Sequence, residues 1–320
     1  MDQKNDKIQV LRGLAIIAVV LIHTCHGGMW QVICRPFLNF AVPMFLFLSG
    51  YLTKVENEDW PGFFRKRILR VFIPYVIWTV LYTAPHLSPR LLAINFVTTW
   101  SCLALYYIFV YIQFVLLTPL IGKLAKSKWQ WVGWLIAPLS LIVFKYYWLL
   151  TGKTLNHYVS IVWGLSFLGW FTYYYLGLLL GNSLIKRDFN PWIILALLLV
   201  SIPVQMAEGY GLMLAGNANH GTQMKMSVLL TSSLFLLLSH CYLTSDNFNP
   251  RLRVLSFLGD YSFGIYLSHL MVMRVMKYIP FCSGIPFPLT TVIVLAVSTA
   301  CVFVGSKLCG RKVSRWLGLV

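Results

Sequence analysis

Three features of the sequence predict an all-α fold, a polytopic membrane protein of about ten transmembrane helices with a short interfacial basic helix. Hydrophobic residues fill 58% of the 320 positions and charged residues only 11%, whereas a soluble domain carries roughly 25% charged residues to solvate its surface. Mean hydropathy is +0.73. Ten apolar runs follow one another along the chain, each near the ~20 residues that a helix needs to cross about 30 Å of hydrocarbon.

The first run, 8–28, shows no small-residue cleavage site and is expected to stay as a span. The second, 36–53, ends before the turn signal Trp60-Pro61-Gly62. A basic stretch then leads into the third, 71–87, which Ser88-Pro89 closes. Runs 101–122 and 129–149 flank Lys126-Ser127-Lys128, and the aromatic groups Trp129/Trp131 and Tyr146-Tyr147-Trp148 fall where amphipathic rings meet a membrane interface. Runs 158–182 and 190–207 are punctuated by Asn190-Pro191, and runs 226–244 and 254–278 by Asn249-Pro250; the tenth is 287–309. With no internal repeat, residues 1–320 are expected to form one integral-membrane domain, with no appended soluble domain.

Lys and Arg number 26 against 9 Asp and Glu, a net charge of +17. The cations cluster between apolar runs, which favours anionic head groups or substrates over nucleic acid as partners. Sorted by loop, nineteen fall on one side and seven on the other. The positive-inside rule then puts both termini in the cytoplasm and requires an even number of spans. Seven scattered cysteines lack CxxC or His/Cys spacing, so neither a disulfide framework nor a metal site is expected.

Several polar groups interrupt the apolar pattern. Arg12 and His23 are eleven residues apart, about 20° beyond three full turns, so they share one helix face with a separation of about 16 Å. Arg12 is expected at the cytoplasmic rim and His23 near mid-membrane, where an ionisable group is costly and is a functional candidate. The alternative is a neutral His23 bonded to a neighbouring helix, with Arg12 as an anchor. His26, one turn beyond, is expected to be structural. In the basic stretch, Arg65, Lys66, Arg67 and Arg70 place four cations in six residues, either a head-group anchor or a polyphosphate cradle, for which the arginine fork is suited. Ser262, Tyr266 and His269 form one stripe on the ninth run, a substrate wall or a set of interhelical hydrogen bonds. Asp260, at the helix start, is expected to cap it.

With these residues in place, the chain resembles the membrane acyltransferase-3 family, integral-membrane enzymes that acylate sugars of bacterial surface polysaccharides. The likeness is carried by Arg12 and His23 in LRGLAIIAVVLIH, by VPMFLFLSGYL (42–52), FFRKRILRVFIPY (63–75), LYYIFVYIQFVLLTPLI (105–121), YYYLGLLLGN (173–182) and SFGIYLSH (262–269). The resemblance implies an acyl-CoA donor, most often acetyl-CoA, arriving from the cytoplasm. The acceptor would be a surface polysaccharide or lipid-linked glycan, and the location a bacterial cytoplasmic (inner) membrane. It implicates His23 in transfer, Arg12 in organising the site, and Arg67 and Arg70 in holding coenzyme A phosphates, with Arg65 and Lys66 adding field. Tyr107, Ser262, Tyr266 and His269 are the substrate-site candidates. The family commonly has a Trp where this chain has Tyr106 and Tyr107, and some members append an esterase-like domain, which is not expected here.

The chemistry fits the residues independently. Transfer from a thioester to a sugar hydroxyl needs a base of near-neutral pKa, which histidine supplies, or a transient acyl carrier, which histidine can also be. The competing classes are a non-catalytic scaffold and a secondary transporter or lipid-linked sugar flippase. Proton-coupled transporters generally use intramembrane carboxylates, and only Glu208 and Asp260 lie near the membrane here.

Overall fold

The computed structural model describes residues 3–319 apart from 26, 58, 87, 100, 101, 154, 155, 186, 187, 218, 219, 246–248 and 283. His26, the basic pair Lys186 and Arg187, and Val320 therefore lie outside the described residues. Helix makes up 81% of the structure, with no strand among the described residues. In chain order the helices are α1 (Gln3–Thr24), α2 (Gly28–Cys34), α3 (Ala41–Tyr51), α4 (Trp60–Thr83), α5 (Pro89–Thr98), α6 (Tyr106–Lys126), α7 (Gly133–Ser140) and α8 (Tyr147–Thr151). They continue as α9 (His157–Gly164), α10 (Phe171–Gly181), α11 (Pro191–Leu214), α12 (Met226–Thr244), α13 (Arg253–Asp260), α14 (Ser262–Met276), α15 (Leu289–Leu308) and α16 (Arg311–Trp316).

Six segments among the described residues are long and apolar enough to cross a membrane alone: Asp6–Thr24, Gly28–Tyr51, Tyr106–Lys126, Pro191–Leu214, Met226–Thr244 and Leu289–Leu308. The protein is a multi-pass membrane protein. The other four apolar runs are composite or broken, each for a local reason. The basic stretch is not a separate interfacial helix but the opening turns of α4. Asp59 caps that helix, its Oδ1 accepting from the Gly62 amide at 2.8 Å, and nothing between Arg70 and Val71 breaks it. The fifth run changes at Leu141–Lys145 into a π-helix, a turn after Pro138, whose missing N–H weakens the ladder. Between α9 and α10 the sixth run opens, and Gln113 of α6 supplies the lost partners. Its Nε2 donates to the Leu165 carbonyl at 2.7 Å and its Oε1 accepts from the Phe167 amide at 3.1 Å. The ninth run breaks at Tyr261. That residue, not Asp260, occupies the N-cap of α14, and no side chain caps it, so the capping expected of Asp260 does not occur.

In lipid, helices associate through close packing, and glycine permits the closest approach. A Cβ on Gly177 would lie 2.1 Å from the Phe47 carbonyl oxygen, one on Gly181 2.0 Å from that of Tyr51, and one on Gly50 2.2 Å from that of Tyr174. The GLLLG and SGY segments are therefore the two sides of one contact between α10 and α3. Gly13 and Gly259 bring α1 equally close to α13, a Cβ on either meeting the partner's carbonyl oxygen at 1.9 Å. Next to this contact, Asn182 clamps the loop after α3: its Nδ2 donates to the Thr53 carbonyl at 2.8 Å and its Oδ1 accepts from the Val55 amide at 3.1 Å. The start of α4, and with it the basic segment, is thereby held in place.

Candidate functional site

Arg12 and His23 lie on one continuous helix, but α1 stops at Thr24, ahead of Gly27, whose φ of 105° takes the chain into a left-handed turn. His23 is thus in the last turn of α1, one residue before its end at Thr24. Its neighbour now singles it out. The rings of His23 and His269 lie 5.2 Å apart at 48°.

His269 is wholly buried in α14, its Nδ1 3.1 Å from the Ile265 carbonyl oxygen. A carbonyl only accepts, so Nδ1 carries the proton and Nε2 keeps its lone pair. Nε2 is buried with no partner among the described residues. The row continues through Tyr266, 6.2 Å from the His269 ring, to Tyr107, 5.8 Å from Tyr266, and Tyr111, 6.2 Å from Tyr107. Tyr266 is fixed by its hydroxyl, which donates to the Ala104 carbonyl, so the ring is positioned by the turn that precedes α6. Ser262 is buried in the first turn of α14, two turns from His269 on the same face. The structure therefore gathers His23, His269, Tyr266 and Tyr107 from α1, α14 and α6.

Tyr106 and Tyr107, side by side in sequence, serve different surroundings. Tyr107 belongs to the histidine row, whereas Tyr106 packs 5.9 Å from Trp170 and has Arg35 as its charged neighbour.

Three turns back, about midway along α1, the groups that act electrostatically on Arg12 are Arg70, Tyr107, Tyr111 and Asp260. Arg12 thus has a second guanidinium, from α4, and two phenol groups, from α6, among its electrostatic neighbours. Arg67, half-buried, donates from Nη2 to the Leu52 carbonyl at 3.3 Å and lies 4.8 Å over the Phe63 ring. Those contacts hold it against the loop that Asn182 clamps. Arg65, Lys66 and Arg70 are exposed on α4. The arrangement is a cationic group about midway along α1 and a histidine pair at its C-terminal end, joined by α1 and by a row of tyrosines.

Sequence reasoning missed Arg35. It follows α2 in a 3₁₀ turn and donates from Nη2 to the Ile22 carbonyl at 3.0 Å, which places it beside His23. Only its position within a long apolar stretch signalled it.

Fold and site define a multi-pass helical membrane protein with a histidine pair, one member wholly buried, and a group of arginines along the same helix and its neighbour. The family model described as an acyltransferase domain matches residues 5–307, and the chain belongs to that family, acyltransferase-3. It is an acyltransferase. No curated protein and no solved structure matches the chain.

Proposed function

We propose that the protein transfers an acyl group, acetyl in the first instance, from cytoplasmic acyl-CoA to a hydroxyl of a cell-surface or lipid-linked glycan. The reading rests chiefly on one observation: His23 lies against His269 in the last turn of α1 while Arg12, three turns earlier on the same helix face, has Arg70 among the charged groups that act on it. Arg12, Arg67 and Arg70 take the phosphates of the donor, for which charge-assisted, bidentate contacts suit arginine. The pantetheine arm then runs along α1, past Tyr111 and Tyr107, toward the histidines. His23 accepts the proton of the acceptor hydroxyl as the oxygen forms its bond to the thioester carbonyl carbon. The C–S bond breaks, and coenzyme A leaves as the thiol once it takes up a proton. The same position lets His23 carry the acyl group between donor and acceptor. The lone pair of His269 Nε2 points to a role in receiving or orienting a proton beside it.

In this reading the single membrane domain makes ten passes of a bacterial inner membrane with both termini cytoplasmic. The composite passes are α4, α7 with its π extension, α9 with α10, and α13 with α14. Purified protein incubated with radiolabelled acetyl-CoA tests the proposal. The enzyme consumes the thioester or passes on the label, whereas a transporter or flippase leaves it intact.

A further inference from the structure

A second charged cluster lies beyond the histidine end of α1, where residues far apart in sequence meet. Arg35, held to the Ile22 carbonyl through Nη2, has a buried Nε with no partner among the described residues. Asn39 follows one turn later, its amide bonded to the Arg35 carbonyl at 2.9 Å. It is 1% exposed, and neither Oδ1 nor Nδ2 of its side chain has a partner among the described residues. Lys225 is 2% exposed, its Nζ donates to the His220 carbonyl at 2.9 Å, and the charged groups acting on it are Glu208, Lys145 and Arg35. Lys145 is presented by the π-helical segment at the end of α7, a local geometry that recurs at functional sites.

The one carboxylate in this group is already engaged by neutral donors. Glu208 accepts from the hydroxyls of Tyr146 and Ser227 and from the Ser227 amide at 3.1 Å. Three cations therefore share a single anion in a largely buried setting. Burying an uncompensated charge costs several kcal/mol per ion, so a net positive cluster with unpaired polar atoms is complete only with an anion in it. Lys225 precedes the span of α12 and shows the strain of the arrangement. Burial, opposed by Glu208 and reinforced by Lys145 and Arg35, pushes its ammonium down to about 8, still charged at neutral pH.

We propose that Arg35, Lys145, Lys225 and Asn39 form a binding site for an anionic group, a carboxylate or phosphate carried by the acceptor, which sets the acceptor's hydroxyl against His23. The role as an acceptor site rests on the acyl-transfer reading, but the binding of an anion does not. Two sources share this chemistry, an acidic sugar within the glycan and the pyrophosphate of a lipid carrier.

Binding to purified protein is measured with methyl glucuronide, inorganic pyrophosphate and, as the neutral control, methyl glucoside. Arg67 and Arg70 are first replaced by Gln so that these two donor-side cations do not respond. At least one anion should bind more tightly than methyl glucoside, the glucuronide pointing to an acidic sugar and pyrophosphate to a lipid carrier. Its affinity should fall at least about tenfold with Lys225→Met or Arg35→Gln and survive Lys225→Arg. Asn39→Asp, nearly isosteric, guards against loss through misfolding: it puts a carboxylate into the site and should weaken anion binding by a similar factor. Binding of neither anion, equal binding of glucoside and anion, or unchanged affinity in Asn39→Asp and Lys225→Met overturns the proposal. Thioester consumption is followed separately in protein with Arg67 and Arg70 intact. Anion binding that follows these expectations while acetyl-CoA stays intact would support the site and reject the acyl-transfer reading.

Discussion

Replacing His269 by leucine, apolar and of similar size, separates stability from activity because the native ring is incompletely bonded. The substitution removes the Nδ1 contact to the Ile265 carbonyl, 3.1 Å away within the same helix, worth about 0.5–1.5 kcal/mol. It also removes Nε2, a buried acceptor with no partner among the described residues, and an orphan of that kind costs about 1–3 kcal/mol. The difference runs from about 0.5 kcal/mol of net destabilisation to about 2.5 kcal/mol of net stabilisation. A structural histidine would show the reverse sign. If Nε2 instead receives or orients a proton beside His23, acyl transfer should fall by about 10²–10⁴-fold. The assay is paired: thermal unfolding of purified protein in detergent, and label transferred from acetyl-CoA to host glycan by membranes containing equal amounts of protein. A His269→Leu protein destabilised by more than about 2 kcal/mol, or one that transfers at the normal rate, would refute the reasoning.

Three further outcomes follow from the same geometry. Replacing Arg67 and Arg70 together by Gln should raise the KM for acetyl-CoA far more than that for the acceptor, since charge-assisted phosphate contacts are worth about 1.5–3 kcal/mol each. Lysine at both positions should rescue only partly, because it keeps charge without the fork, and unchanged donor kinetics would make the segment a membrane anchor. Arg12→Lys should retain more activity than Arg12→Ala in the same transfer assay, because its place beside Arg70 calls for charge and position more than for proton chemistry. Reporter fusions after Lys126 and at the C-terminal end should read as cytoplasmic and one after Arg90 as external; an external C-terminus would mean an odd number of passes.

The helical character, the multi-pass membrane setting and the common face of Arg12 and His23 are local properties, and they were legible because hydropathy and helical periodicity act over one or a few turns. The stripe of Tyr266 and His269 was legible for the same reason. That His269 packs on His23 was not, because the pairing depends on how α14 is laid beside α1, which Gly13 and Gly259 influence by letting α1 and α13 touch backbone to backbone. The breaks in the runs were equally hidden. Leu165 to Phe167 reads as apolar chain, yet it opens because Gln113, more than fifty residues upstream, supplies its hydrogen bonds. The end of α1 was hidden too: Gly27 and Gly28 sit inside an apolar run, whereas Gly27 turns the chain and α2 begins at Gly28. Arg35, Lys145, Glu208 and Lys225 lie on four separate elements, and sorting the three cations as loop charges concealed that the fold brings them together with Glu208.

The most direct measurement takes His23→Ala against wild type, expressed to the same level in the membrane, and follows label from acetyl-CoA into the host glycan. A lost base should lower transfer by about 10²–10⁴-fold, and a lost acyl carrier by more, while thermal unfolding shows the variant folded. Transfer at the wild-type rate by folded His23→Ala protein would contradict the account and shift the chemistry to His269.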